Sequence, residues 1–164
     1  MIAIILAGGT GTRLWPYSRK MTPKQFLNLG STQESLFQET SKRLDSLVSP
    51  EQIYIVGGDA HKDKLRQQIL QIFPDFPIDQ LLLEPVGRNT APAILWSILR
   101  INESNRNDSV VVLASDHLIK NLHSFTQALK LGERLASSGY IVTFGIKPDH
   151  AEIGYGYIRS GEPL

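Results

Sequence analysis

The feature that most constrains the fold is an apolar run near the N-terminus that passes directly into a glycine-rich stretch. The run is Ile2-Ala-Ile-Ile-Leu6, and Ala7-Gly-Gly-Thr-Gly-Thr-Arg13 follows it. A short apolar run bounded by turn residues is typical of a buried β-strand, and a strand apolar on both faces is typical of a parallel sheet. Glycines directly after such a strand let backbone N–H groups approach an anion. The sequence therefore predicts a phosphate-binding loop after the first strand.

Two well-known phosphate loops do not fit this stretch. The P-loop requires a lysine directly after its last glycine, and the chain has none at that spacing. The dinucleotide-binding fingerprint requires a third glycine where Leu14 stands. Arg13 and Lys24 provide positive charge instead. A glycine-rich turn without a ligand is the alternative, but it does not account for two cations placed after the turn, so we expect a polyphosphate site.

Further strands are predicted at regular intervals, with amphipathic segments between them. They lie at 53–56, 81–83, 110–114, 141–144 and 153–158. Strands that alternate with helical segments at this spacing indicate βαβ units and a parallel sheet with helices on both faces. The expected fold class is α/β, a three-layer, Rossmann-like and mostly parallel sheet. Because ligands bind beyond the carboxyl ends of such strands, Glu84, Asp116 and Gly145 are expected to meet the glycine-rich loop in one crevice.

Local signals also predict where helices begin and how the long first loop is held. Ser31 with Glu34 matches a capping box, and Asp59 and Thr90 are expected to cap the next two helices. The aromatic side chains of the 7–30 loop are expected to pack it against the body of the protein. They are Trp15, Tyr17 and Phe26.

Several motifs in order resemble one enzyme family. They are the stretch Leu6–Pro16, Ser18-Arg19, Pro23-Lys24-Gln25-Phe26-Leu27, Glu84–Ile94, Ser115-Asp116-His117 and Gly154-Tyr155-Gly156-Tyr157-Ile158. Together they resemble the signature of sugar-1-phosphate nucleotidylyltransferases, and among them the bacterial mannose-1-phosphate guanylyltransferases. The resemblance implies the nucleotide-diphospho-sugar transferase fold. It also implies Mg²⁺-dependent transfer of GMP from GTP to α-D-mannose 1-phosphate, which yields GDP-mannose and pyrophosphate.

The resemblance also assigns roles to individual residues. It implies Arg13 and Lys24 as catalytic cations and Asp116 as the Mg²⁺ ligand. Glu84 is expected to accept hydrogen bonds from the adjacent N1–H and N2–H₂ donors of guanine. The nucleotide-binding set is Leu6, Ala7, Gly8, Gly9, Thr10, Gly11, Thr12, Arg13, Glu84, Arg88, Asn89, Thr90 and Ser115. The sugar-phosphate set is Gly145, Gly154, Tyr155, Gly156 and Tyr157.

The chain departs from the family pattern at two points. Ile153 stands where the family usually has threonine, which removes a hydroxyl near the sugar. Related catalytic domains continue past Leu164 with a Glu-Lys-Pro segment and a second metal-binding aspartate. We therefore expect residues 1–164 to be the N-terminal part of a nucleotidyltransferase catalytic domain, truncated at its C-terminus. Such a part is expected to bind nucleotide with little activity alone.

Alternative functions stay open at this point. The parent enzyme could use dTTP, UTP or CTP instead of GTP, or the chain could be a non-catalytic nucleotide-binding module. A purely structural α/β domain leaves the grouping of the glycine-rich loop, Arg13, Lys24 and Asp116 unexplained.

Composition restricts the partners. The formal net charge of +1 implies no broad basic face for nucleic acid, and the absence of cysteine excludes disulfides and thiolate metal sites. No stretch is apolar over a membrane-spanning length, and the apolar N-terminus is too short for a signal peptide. We expect a cytoplasmic protein without membrane or nucleic-acid partners. The resemblance implies GTP and mannose 1-phosphate as its partners. The sequence does not fix the oligomeric state and is compatible with a homodimer.

Overall fold

Four parallel strands form one sheet in the part of the chain that the structure describes. The structure is a computed structural model that describes residues 1–9, 14–19, 22–29, 33–101, 105–154 and 156–162. The strands are β1 (Ile2–Leu6), β2 (Ile53–Gly58), β3 (Leu81–Glu84) and β4 (Val110–Ala114). Their order in the sheet is β3-β2-β1-β4, with β1 parallel to both of its neighbours. The first four predicted strands are therefore confirmed.

Four α-helices connect and follow these strands within the same described residues. They are α1 (Leu36–Lys42), α2 (Lys62–Ile72), α3 (Thr90–Arg100) and α4 (Leu122–Ser137). Short 3₁₀ segments lie at Lys24–Phe26, Pro50–Gln52, Asp59–His61 and Ile78–Gln80.

The two faces of the sheet are covered by different helices. Ala3 and Ile5 of β1 face a core that includes side chains from α1, α2 and α4. Ile2 and Ile4 face the opposite core, which contains Ala93 of α3. Because successive side chains of a strand point to opposite faces, the unbroken apolar run of β1 supplies both cores. The predicted three-layer α/β architecture is confirmed.

The first helix begins later than its predicted capping box. Ser35 is the N-cap residue, and its hydroxyl accepts a hydrogen bond from the backbone N–H of Gln38 at 3.2 Å. The Gln38 side chain in turn accepts from the N–H of Ser35 at 3.1 Å. Ser31 lies outside the described residues, and Glu34 precedes the cap. The capping box forms at Ser35 and Gln38 because Leu36 and Phe37, the first residues of the helix, are buried in the core.

The next two predicted caps also differ from the structure. Gly57 and Gly58 continue β2 and pair with Leu83 and Glu84, so the strand does not turn there. Asp59 therefore opens a 3₁₀ segment, and α2 starts only at Lys62. A Cβ at Gly57 would collide with Leu65, so this glycine permits α2 to pack closely on β2.

Thr90 is the first residue of α3 and not its cap. The N-cap position belongs to Asn89, which has φ 70° and ψ −175°. This region of backbone space is almost exclusively occupied by glycine, and a residue with a side chain there stores about 1–3 kcal/mol of strain.

The fifth and sixth predicted strands are wrong. Residues 141–144 and the described part of 153–158 have no strand structure, and Ile141 is 98% exposed. Gly145 therefore ends no strand. Alternating apolar residues form a strand only where a neighbour supplies hydrogen bonds and burial, and in the described residues β4 pairs with β1 alone. Phe144 instead packs its ring against Gly132 of α4.

The packing of α2 against the sheet gives a direct stability test. Leu65 is fully buried in α2, so Leu65→Ala is expected to lower the free energy of unfolding by about 2–5 kcal/mol. Leu99 of α3 is 72% exposed, and Leu99→Ala is expected to change it by less than about 0.5 kcal/mol. Urea unfolding of both variants measures the difference, and equal losses would contradict the described core.

Candidate functional site

The candidate site lies where β1 ends between its two neighbours. The chain runs outward from β1 to β2 and β3 and then returns to the other side of β1 to form β4. The N–H of Ala7 donates to the carbonyl of Val56 at 2.7 Å, and the N–H of Ser115 donates to the carbonyl of Leu6 at 3.0 Å. A crevice at the carboxyl end of such a sheet, where the strand order reverses, is the usual ligand position.

Glu84 reaches the start of the glycine-rich loop from the end of β3. A Cβ at Gly8 would lie 3.6 Å from Oε2 of Glu84, so the carboxylate lies against the Gly8 backbone. Gly9 has φ 93°, a conformation that glycine adopts without strain. Gly8 follows β1 and Glu84 ends β3, and these strands are not adjacent in the sheet, so the carboxyl edge of the sheet brings distant segments together.

Gln25 ties a second segment to the same strand end. Its side-chain Nε2 donates to the carbonyl of Ala7 at 3.0 Å, and the residue is buried. The next residue, Phe26, is buried and packs edge-on against Phe37 with ring centroids 6.3 Å apart. These contacts fix the short Lys24–Phe26 helix beside the loop.

The aromatic residues of the first loop divide into two groups. Phe26 packs into the core as predicted. Trp15 and Tyr17 are about three-quarters exposed, so the prediction that they pack the loop against the body is wrong. The buried polar residues Ser18 and Gln25 hold the loop instead, Ser18 by accepting from the N–H of Leu14 at 3.0 Å.

Lys24 and Asp116 are brought into direct contact. The ammonium group of Lys24 forms an ion pair with Oδ2 of Asp116, and the side chains are 28% and 24% exposed. The predicted catalytic lysine and the predicted metal ligand thus meet at the end of β4, although they are 92 positions apart in the sequence. His117 follows with an exposed ring whose Nε2 is 4.0 Å from Oδ1 of Asp116.

The remaining predicted nucleotide-binding residues differ in how the structure places them. Arg88 and Asn89 are exposed in the turn between β3 and α3, and Thr90 is exposed at the start of α3. Ser115 is buried at the end of β4. Four of the predicted phosphate-loop residues lie outside the described residues: Thr10, Gly11, Thr12 and Arg13.

The predicted sugar-phosphate residues lie in the exposed segment after α4. The hydroxyl of Tyr157 accepts from the N–H of Glu152 at 2.6 Å and donates to its carbonyl at 3.1 Å. Gly154 donates its N–H to the Glu152 side chain. Among the described residues, no hydrogen bond or ion pair joins Gly145, Gly154, Gly156 or Tyr157 to Gly8, Glu84 or Asp116. Tyr155 lies outside the described residues.

Two contributors were missed by sequence reasoning. Gln25 was visible only as part of the Pro-Lys-Gln motif, and nothing in the sequence indicated that its side chain would hold Ala7. Arg43, just after α1, donates to the carbonyl of His117 at 2.8 Å. No local pattern signals that contact, because it joins residues 74 positions apart.

The carboxylates near the crevice do not form a closed metal cage. Among the described residues, no group of three or more histidine, aspartate or glutamate side chains is arranged to hold a metal ion. Asp116 therefore offers one carboxylate at the end of β4. Any ion bound there would take its remaining ligands from groups other than these histidine, aspartate and glutamate side chains.

The comparison with known families decides the classification. The sequence matches the protein family described as "Nucleotidyl transferase" over residues 2–163. The chain belongs to the nucleotidyl transferase family.

The helices that the structure describes include none that is long and apolar enough to cross a membrane.

Named relatives and a solved structure agree with the family. The chain is 46% identical to the mannose-1-phosphate guanylyltransferase RfbM of Salmonella typhimurium, covering 98% of this chain and 33% of the relative. It is 41% identical to the alginate biosynthesis protein AlgA of Pseudomonas aeruginosa, covering 98% and 32%. A crystal structure titled mannose-1-phosphate geranyltransferase, from Thermus thermophilus, is 32% identical with a TM-score of 0.71 and covers 84% of this chain and 38% of that one. The chain thus spans about a third of the length of the curated relatives it matches.

The hydrogen bond from Gln25 to Ala7 is expected to stabilise the fold around the site. Gln25→Met keeps similar volume but leaves a buried carbonyl without this donor, which is expected to cost about 1–3 kcal/mol of unfolding free energy. Gln67→Met makes the same chemical change at an exposed position of α2 and serves as the control. Chemical denaturation measures both, and an unchanged stability of Gln25→Met would refute the structural role of this bond.

Proposed function

We propose that the chain is the nucleotide-binding part of a cytoplasmic mannose-1-phosphate guanylyltransferase, with little turnover by itself. The reaction is transfer of GMP from GTP to α-D-mannose 1-phosphate. The observation that carries the proposal is the ion pair of Lys24 with Asp116 near the start of the glycine-rich loop, in a chain of the nucleotidyl transferase family. Relatives named mannose-1-phosphate guanylyltransferase, which are 40–46% identical, favour guanylyl transfer within that family.

The chemistry requires positioning and charge more than covalent participation. A phosphate oxygen of the sugar phosphate attacks the α-phosphorus of GTP, and the bond from the α-phosphorus to the bridging oxygen breaks as pyrophosphate leaves. Lys24 supplies positive charge toward the phosphates, and Arg13 is proposed to do the same for the departing group. Backbone N–H groups from Gly8 onward are proposed to bind the phosphates.

The donors of the crevice fit a magnesium ion that is bound together with the substrate. Mg²⁺ usually takes one or two carboxylates and completes its shell with phosphate oxygens and water. Asp116, a part-buried carboxylate at the strand end, would hold it. The ion would supply charge neutralisation for the triphosphate.

Glu84 is proposed to select the base. Guanine presents two adjacent donors on its pairing edge, and one carboxylate can accept from both. The position of the Glu84 carboxylate against Gly8 supports this, because it lies at the loop proposed to hold the nucleotide. Thymine and uracil offer a single donor on that edge and are bound less well in this scheme.

Base selection can be measured by thermal stabilisation with each nucleoside triphosphate. GTP with Mg²⁺ is expected to stabilise the chain most, by about 2.7 kcal/mol at 100 times its dissociation constant. Glu84→Gln is expected to reduce the preference for GTP, because the amide nitrogen cannot accept a hydrogen bond. Glu51→Gln, at an exposed position, is the matched control.

The outcomes separate the candidate functions. Preferential stabilisation by dTTP, UTP or CTP would indicate a transferase of different base choice. Stabilisation by no nucleotide, in a chain that melts cooperatively, would refute nucleotide binding by this chain.

The Lys24–Asp116 ion pair implies an exchange of partners during binding. In the proposed reaction Lys24 would bind phosphate oxygens and Asp116 would hold Mg²⁺, so the ion pair between the two side chains would break. Asp116 therefore restrains Lys24 before the ligands arrive. Phosphates that attract Lys24 would free Asp116 for the metal, which would couple the binding of nucleotide and metal.

A double-mutant cycle measures this exchange through GTP affinity in EDTA. Asp116→Asn is expected to tighten GTP binding about fivefold, or about 1 kcal/mol of coupling, because Lys24 is released. In the Lys24→Met background the same substitution is expected to have little effect. Lys42→Met, which removes a lysine paired with Glu34, is the control for net charge. If Asp116→Asn changes GTP affinity equally in both backgrounds, the effect is simple charge repulsion between Asp116 and the nucleotide, and Lys24 and Asp116 do not exchange partners.

A further inference from the structure

Arg43 joins three elements around the segment that carries Asp116. It is the C-cap residue of α1, and its Nε donates to the carbonyl of Glu39 at 3.0 Å. Its Nη2 donates to the hydroxyl of Thr40 at 2.5 Å and to the carbonyl of His117 at 2.8 Å. The guanidinium carbon lies 5.7 Å from the ring centroid of Phe125 in α4, within the range of a cation–π contact.

The His117 carbonyl is one of three anchors of the loop after β4. The N–H of Ser115 is bound to Leu6, and the side chain of Asp116 is bound to Lys24. Arg43 holds the peptide group on the far side of Asp116. Anchors on both sides of a residue restrict its backbone dihedral angles and hence the direction of its side chain. The position of the Asp116 carboxylate thus depends on Arg43, which does not touch it in any of these contacts.

The surroundings of the Arg43 side chain indicate that it is held in one position. The side chain is half-buried, and its pKa lies below the ordinary value because burial removes the guanidinium from water, an effect that the Glu39 carboxylate opposes. A guanidinium leaves water favourably only where its donors find acceptors, and three of its five N–H donors bind oxygen atoms here. Lysine has a single nitrogen and no planar face for Phe125, so it cannot make the same set of contacts.

We infer that Arg43 is a positioning residue that sets the place of the Asp116 carboxylate for metal binding. This inference rests on the proposed function, because it takes Asp116 as the metal ligand. Arg43 acts through the peptide group of His117 and contacts neither nucleotide nor metal in this scheme. Residues that orient a metal ligand typically change metal affinity on the order of tenfold or more when they are replaced.

The decisive measurement is the gain in GTP affinity that Mg²⁺ produces, taken as the ratio of dissociation constants in EDTA and in Mg²⁺. Arg43→Met is expected to reduce this gain about tenfold, whereas GTP affinity in EDTA stays within about twofold of the unsubstituted chain. Arg43→Lys is expected to restore only part of the gain. Arg134→Met removes an exposed arginine of α4 and should leave both affinities unchanged.

A second readout is independent of the nucleotide. The amide nitrogen of Leu118 shares its peptide group with the carbonyl that Arg43 binds, so its NMR signal is expected to shift in Arg43→Met and not in Arg134→Met. Titration with Mg²⁺ alone, followed at the Asp116 amide, is expected to need about tenfold more metal in Arg43→Met.

The results separate this inference from the proposed function. Equal loss of GTP affinity with and without Mg²⁺ in Arg43→Met would make Arg43 a general structural residue and would overturn the inference. An unchanged Leu118 signal together with an unchanged Mg²⁺ titration would also overturn it. If GTP fails to bind the unsubstituted chain, the proposed function fails, and the Mg²⁺ titration alone then decides the role of Arg43.

Discussion

The hydrogen bonds of the backbone at Leu6 and Ala7 are the constraint on which the site depends. Ala7 donates to Val56 and accepts from Gln25, while the carbonyl of Leu6 accepts from Ser115. One dipeptide at the end of the central strand thereby connects β2, β4 and the Lys24–Phe26 segment. Since buried backbone groups are costly to leave unpaired, these bonds fix the start of the glycine-rich loop, at Gly8 and Gly9, relative to Lys24 and Asp116.

The central strands were predictable because their physical requirements appear directly in the sequence. β1 and β4 have the predicted bounds, since each is an apolar run that ends at a turn or polar residue. The run at 141–144 is also largely apolar and 153–158 alternates around glycines and tyrosines, but a strand also needs a neighbour, and local sequence does not contain that information. The helix starts were misplaced for a related reason. Several residues can cap a helix, and burial of the following side chains, such as Leu36 and Phe37, decides which of them does.

The site was predictable to the extent that strand ends define it. Gly8 and Asp116 follow strands and Glu84 ends one, and the parallel topology brings them to one edge of the sheet. Gln25 and Arg43 were not predictable, because each acts on a backbone carbonyl that is distant in sequence. A side chain that binds a carbonyl requires no particular residue type at its partner, so the partner leaves no trace in the sequence.

Asn89 gives the turn between β3 and α3 a property that its exposure alone would not suggest. With φ 70° and ψ −175°, its backbone has a shape that glycine would adopt without strain. Glycine at this position would relieve the strain but would remove the carboxamide. A change that relaxes the backbone at this one residue therefore also changes the side-chain chemistry of the turn, and the two properties cannot be varied independently there.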